Sequence, residues 1–108
     1  MAVTKKFLKT KPEVQVTFEI KADATADASQ VYIVGEFANW EPVELKKLKS
    51  GLFKTTINLP TNQQDSYQYR YRFVLTDGSE KFENEVQADS YCANPYGGEN
   101  SIISVIPQ

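Results

Sequence analysis

Histidine is absent from this 108-residue chain, and cysteine occurs once, as Cys92. Without His, the usual general base near neutral pH and the commonest metal ligand are both missing. One Cys makes neither a Cys–His nucleophile pair, nor a zinc cluster, nor an intrachain disulfide. No G-x-S-x-G, Walker or dinucleotide-binding spacing occurs. We therefore expect no metal site and no cofactor. No apolar run approaches the roughly 18 residues of a transmembrane helix, so no membrane span is expected. The stretch "MAVTKKFLKTKPEV" lacks the apolar core and small-residue cleavage site of a signal peptide. Together with the single Cys, this suggests a reduced, cytoplasmic setting. Lys and Arg number 12 against 14 Asp and Glu, for a formal net charge of −2. Such a chain has no global positive field to attract nucleic acid or anionic lipid.

What is present is an ordinary globular composition, 41% hydrophobic and 24% charged, at a length that suits one domain with its own core. Residues 1–12 carry Lys5, Lys6, Lys9 and Lys11 and read as a solvated basic arm. From residue 13 to 108 the pattern is that of one domain. "VQVTFEI" alternates strictly, with Val14, Val16, Phe18 and Ile20 on one face, as a half-buried strand does. "KADATADASQ" is small and polar, a loop or one weak helical turn. "VYIV" is apolar on both faces and therefore central. "LKKL" reads as a short edge strand with its lysines in water. Ser50-Gly51 marks a turn, and "LFKTTINL" is a further strand.

"SYQYRYRFVL" is the most informative segment. Tyr67, Tyr69, Tyr71, Phe73 and Leu75 share one face; Gln68, Arg70, Arg72 and Val74 share the other. "TDGSEK" is a hairpin turn around Asp77-Gly78, and "KFENEV" returns as a strand. "ADSYCANPYGGENS" reads as a long loop, and "SIISVIP" as the closing strand. Six to eight short strands with recurring turn signals and no convincing helix give an all-β protein. The expected architecture is an antiparallel, immunoglobulin-like sandwich.

The single Trp stands at the exit of a strand, in "VYIVGEFANWE", beside Asn39 and Glu41. A Trp placed there among polar neighbours suits a platform for a ligand, with an aromatic face for apolar contact and planar polar groups for hydrogen bonds. Trp40, Phe82, Tyr91 and Tyr96 are the aromatics in or beside loops; Arg70, Arg72, Asn39, Asn94 and Asn100 are the polar complement. If the tyrosine row faces the core, both arginines must face out. Each residue also has a structural reading. Trp40 can cap the end of the core, and Phe82 can be partly buried. Arg70 and Arg72 can pair across strands with Glu83 or Glu85. Asn100 can hold a turn, Tyr96-Gly97-Gly98 can be no more than a tight turn, and Cys92 can be a small packing residue.

"VYIVGEFANWE", "YQYRYRFVLTDG" and "NPYGGENSIISV", in that order, resemble the early-set domains of isoamylases and branching enzymes. That group is carbohydrate-binding module family 48, which includes the glycogen-binding domain of the AMP-activated kinase beta subunit. Short stand-alone bacterial isoamylase early-set proteins are the most similar in layout. The resemblance covers nearly the whole chain and implies the early-set form of the sandwich. It also implies a non-catalytic module binding α-1,4-glucans of the glycogen, starch or maltodextrin type, with a glycogen- or starch-active enzyme as a further partner. The residues it implies are Trp40, in the F-x-x-W segment, as a stacking platform, and Arg72, with Arg70 on the same face, as a hydroxyl donor. Phe82 takes the place of a second Trp, Tyr96 packs on sugar, and Asn100 bonds hydroxyls. Phe82 and the longer "TDGSEK" turn depart from the family pattern.

Two other readings stand beside it. A surface of Trp and Arg also suits a protein–protein hot spot on a domain that has lost its sugar site. A small glycosidase using Glu83, Glu85 or Asp89 would need two carboxylates at a set distance across a cleft, and a small sandwich without a deep pocket is a poor host for that.

Overall fold

In the computed structural model, which describes residues 1–21 and 28–107, the chain is almost entirely β. Most of the polar stretch after residue 21, read as a loop or weak helical turn, lies outside the described residues. Among the described residues nine strands follow in order: β1 (Ala2–Phe7), β2 (Glu13–Ile20), β3 (Ala28–Gly35), β4 (Val43–Lys47), β5 (Phe53–Pro60), β6 (Ser66–Leu75), β7 (Glu80–Glu83), β8 (Ser90–Ala93) and β9 (Glu99–Ser104). A 3-10 turn at Glu36–Ala38 separates β3 from β4. All the strand pairings are antiparallel, in the order β1-β2-β5-β4-β3-β6-β9-β8, with β7 also on β6. Strand β4 pairs with β3 through Val43–Leu45 and with the start of β5 through Lys46 and Lys47. It thus joins the two layers of an immunoglobulin-like β-sandwich.

The alternation in the sequence fixes which side chains face in. Val14, Val16, Phe18 and Ile20 of β2 meet Tyr67, Tyr69, Tyr71 and Phe73 of β6, with Val31, Ile33, Leu45, Phe53, Leu59 and Ile103 completing the core. The aromatics pack edge to face: Phe18 on Tyr69 at 5.4 Å and Tyr69 on Tyr71 at 6.0 Å between ring centroids. The turns also form where expected. Gly51 and Gly78 hold φ of 90° and 88°, and the Asp77 carboxylate accepts hydrogen bonds from the Ser79 N–H and hydroxyl.

Two expectations need correction. The basic arm is not free: Ala2–Phe7 pair along β2, with Val3 opposite Phe18 and Phe7 opposite Val14. Val3 and Phe7 pack on the core, and Lys5 reaches Asp89 at 2.7 Å. Counting lysines concealed the alternation of Val3, Lys5 and Phe7, and a Lys can occupy an inward position by carrying its head out to a carboxylate. The segment "LKKL" keeps its lysines in water as expected, with Leu45 paired only to β3 and the exposed Lys46 and Lys47 paired only to β5. The long loop after Gln87 contains β8, which pairs Tyr91 with Ser101 and Cys92 with Asn100.

Burial drives the pKa values of Tyr69 and Tyr71 well above the ordinary 10.0, and the nearby Glu85 carboxylate adds to the shift. In the unfolded chain both would ionise near pH 10, whereas the folded protein keeps both protons. Stability is therefore full below pH 10 and lost above it, at about 1.4 kcal/mol per pH unit for each tyrosine. Denaturant midpoints measured from about pH 9 to pH 11 should fall steeply, and Tyr69→Phe should reduce the slope by about half. A flat midpoint over that range would mean that neither ring is held away from water.

Candidate functional site

The outer face of the β3–β6–β7 layer carries a row set by register. Tyr32 lies opposite Arg72, and Arg72 opposite Phe82. One step along, Val34 lies opposite Arg70. Strand β6 pairs with β9 from Ser66 to Tyr69 and with β7 from Tyr71 to Val74. Arg70 thus stands at the point where its two partner strands part. An open groove of about 580 Å³ lies over this region.

The six residues that the resemblance implies, Trp40, Arg70, Arg72, Phe82, Tyr96 and Asn100, all line that groove, as does Asn94, whereas Asn39 does not. Trp40 is 44% exposed, Phe82 47% and Tyr96 91%, whereas Asn100 is only 6% exposed. The groove therefore has aromatic walls that water reaches, above a polar floor. Tyr91 lies off the groove, and its hydroxyl donates to the Glu85 carbonyl. Val34, Pro42, Gln68 and Pro95 also line it and were not singled out. The signal for Gln68 was present, since alternation sets it on the same face as Arg70 and Arg72. Pro42 and Pro95 come from separate loops and had no local mark.

Trp40 owes its position to the turn before it. The 3-10 turn ends in two successive left-handed residues, Asn39 at φ 53° and Trp40 at φ 63°. The Trp40 N–H donates to the Gly35 carbonyl at 2.8 Å, and that of Asn39 to the Glu36 carbonyl at 3.1 Å. The Glu36 carboxylate accepts the Gln68 N–H at 2.7 Å, which ties the turn to β6. Beneath it, Phe37 is wedged among Phe18, Tyr67 and Tyr69. Gly35 has extended backbone, so its φ does not demand glycine; space does. A Cβ there would lie 2.6 Å from the Phe37 ring and 3.0 Å from the Gln68 carbonyl oxygen. Gly35→Ala should cost about 1–3 kcal/mol by overpacking and should push the Phe37–Trp40 turn outward. Urea denaturation reads the first effect and Trp40 fluorescence the second. An unchanged denaturation midpoint would mean that the Phe37 ring gives way freely.

The arginines have different surroundings. The Arg72 guanidinium lies 5.1 Å from the Tyr32 ring centroid, and its Nη2 meets Glu80 Oε1 at 2.9 Å. The carboxylate partner is therefore Glu80, not Glu83 or Glu85 as expected. Arg70 stacks on Phe82, with the guanidinium carbon 4.3 Å from the ring centroid. Phe82 is not a buried residue; it is a support covered on one side by Arg70.

At the far end, Asn94 organises the turn before β9. Its Oδ1 accepts the N–H groups of Tyr96 and Gly98 at 2.9 and 3.1 Å, and its Nδ2 donates to Asn100 Oδ1 at 3.3 Å. Asn100 Nδ2 in turn donates to Gln68 Oε1 at 3.0 Å. The turn is thus capped by Asn94 and not by Asn100, which links Asn94 to Gln68 in the groove floor. Gly97, at φ 87°, lets the chain reverse and project Tyr96 outward.

The three carboxylates weighed for hydrolysis are occupied elsewhere. Glu83 meets Lys81 at 2.9 Å and Asp89 meets Lys5. Glu85 is fully buried, with Oε1 accepting from the Tyr71 hydroxyl at 2.9 Å. Among the described residues, no Asp or Glu lines the groove. Also among them, no group of His, Cys, Asp or Glu has an arrangement that could hold a metal ion.

Comparison with known proteins agrees with this geometry. The chain is 40% identical to a glucoamylase of Neurospora crassa over 83 residues, covering 68% of the chain but 13% of the glucoamylase. It therefore spans a small part of that relative. Residues 15–108 match the family described as the glycogen recognition site of AMP-activated protein kinase. With the match extending from β2 to the last strand and taking in every wall of the groove, the chain belongs to that glycogen-recognition family of carbohydrate-binding domains.

Proposed function

We propose that the protein is a non-catalytic binding module for α-1,4-linked glucans of the glycogen and starch type, and that the groove is its site. The observation that supports this best is the convergence of Trp40, Arg70, Arg72, Phe82, Tyr96 and Asn100 on one open surface. Trp40 offers a flat face to the C–H patch of a glucose unit, and Tyr96 flanks it. Arg72, held by Glu80, and the Asn94–Asn100–Gln68 chain offer donors and acceptors to hydroxyls. An open site of this kind should hold a short oligosaccharide weakly, at about −4 to −6 kcal/mol. A branched polymer gains through repeated epitopes only if several modules act together. A glycogen- or starch-active enzyme is the partner we propose, and the similarity to part of a glucoamylase supports that choice. A reducing, cytoplasmic compartment suits the unpaired Cys92.

Native gel electrophoresis through glycogen, amylopectin and a non-glucan polymer tests the reading. Retardation by the two α-glucans alone is the expected result. Equal mobility in every gel would overturn it and turn the same surface toward a protein partner.

A further inference from the structure

The charge of the groove differs from that of the chain. The protein has a formal net charge of −2, yet the groove is lined by Arg70 and Arg72 and, among the described residues, by no carboxylate. Glu80 balances Arg72 at 2.9 Å. Arg70 makes no ion pair among the described residues. Its contact is the face of Phe82. A guanidinium stacked in this way keeps its N–H donors at its edge, in the plane of the group, where a ligand can meet them. Its place is also open, because β9 leaves β6 at Tyr69 and β7 joins it at Tyr71. A neutral sugar laid over Arg70 would strip water from an unbalanced cation and return only hydroxyl oxygens. An anionic substituent would supply the missing charge.

We infer that the groove takes α-glucans bearing a phosphate monoester, with Arg70 meeting the phosphate while Trp40 stacks on a neighbouring glucose unit. The inference rests on the glucan reading of the groove. A phosphate monoester carries a charge of about −1.5 to −2 near pH 7 and three strong acceptor oxygens, which the forked donors of an Arg fit two at a time. The net negative charge of the chain works against general attraction of polyanions, so any preference for a phosphorylated sugar must arise locally.

Titration calorimetry on the intact protein decides this, with maltohexaose, with maltohexaose carrying one phosphate monoester at a C6 oxygen, and with the counterpart bearing a C6 carboxylate. The phosphorylated sugar should bind about tenfold tighter than the neutral one, and the ratio should shrink as salt is raised. Arg70→Gln should bring that ratio close to one, with a thermal melt confirming that the variant is folded. Equal affinity of the wild-type protein for the neutral and phosphorylated sugars overturns the inference and leaves the glucan site standing. The same gain from the carboxylate sugar overturns phosphate as the ligand and leaves a site for acidic sugars. Binding of none of the three overturns both the inference and the reading beneath it.

Discussion

Replacing Trp40 by Ala should abolish retardation by glycogen while leaving the unfolding transition close to that of the parent protein. An indole that anchors a small site contributes about 2 kcal/mol or more, roughly a thirtyfold change in affinity. Subtracted from a short-oligosaccharide affinity of only about −4 to −6 kcal/mol, this takes binding out of range. The fold should not suffer comparably, because Trp40 is 44% exposed and does not belong to the buried core. Its backbone even stores strain, with a φ of 63°. Left-handed geometry costs an L-residue roughly 1–2 kcal/mol, which Ala retains and Gly escapes. Trp40→Gly should therefore lose glucan binding as completely as Trp40→Ala and melt at or above the parent temperature. A variant that lost several kcal/mol of stability would show instead that the indole caps the core.

Glu85→Ala should show the opposite pattern, with a large loss of stability beginning far from the ligand. The side chain is fully buried. Oε1 accepts from the Tyr71 hydroxyl at 2.9 Å and Oε2 from the Gln87 N–H at 3.0 Å. The Glu85 N–H donates to Ser101 Oγ at 2.9 Å, and the Ser101 hydroxyl donates to Asn84 Oδ1 at 2.8 Å. Asn84 Nδ2 then donates to the Glu99 carbonyl at 2.8 Å, so one network fastens the segment after β7 to β9. Truncation leaves the Tyr71 hydroxyl buried without its acceptor and opens a cavity beside it. A cost of about 3–5 kcal/mol is expected. Glu85→Gln should cost less, about 1–2 kcal/mol, because the amide can still accept from Tyr71 but turns a second donor toward the Gln87 N–H. Denaturant titration of both variants checks the order. If Glu85→Ala were the milder of the two, the network would not be what holds the segment.

The sequence by itself determined the strands whose side chains alternate. In β2 and β6 the period of two separates inner from outer residues so cleanly that burial follows it at every position but the last, Leu75, which is half-buried. That period also set Arg70 and Arg72 on the outer face, because a strand has only two sides. The paired apolar faces of "VYIV" marked a central strand, and its outer side, Tyr32 and Val34, proves to lie under Arg72 and along the groove. Local chemistry fixed the hairpin at Gly78 for the same reason: Asp77 and Gly78 satisfy the turn without help from elsewhere. Five of the six groove residues were legible through the resemblance, since Trp40, Arg70, Arg72, Tyr96 and Asn100 each sit in a short motif whose order along the chain is kept; Phe82 lies outside those motifs.

Only the tertiary structure decided which neighbours those residues have. Strand β1 forms because β2 presents an edge and Asp89, far along the chain, receives Lys5; neither fact is local. Strand β8 exists because β9 lies beside it, and its own four residues carry little pattern. Glu85 sits among charged and polar neighbours in the sequence, yet Tyr71 and Ser101 draw it into the interior through hydrogen bonds that no spacing foretells. The partners of the two arginines follow from register. One step along β6 decides that Arg72 meets Glu80 and that Arg70 lies on Phe82 at the parting of two strands. Alternation assigns a side chain to a face. The partner it meets there is set by strands that fold back from distant parts of the chain.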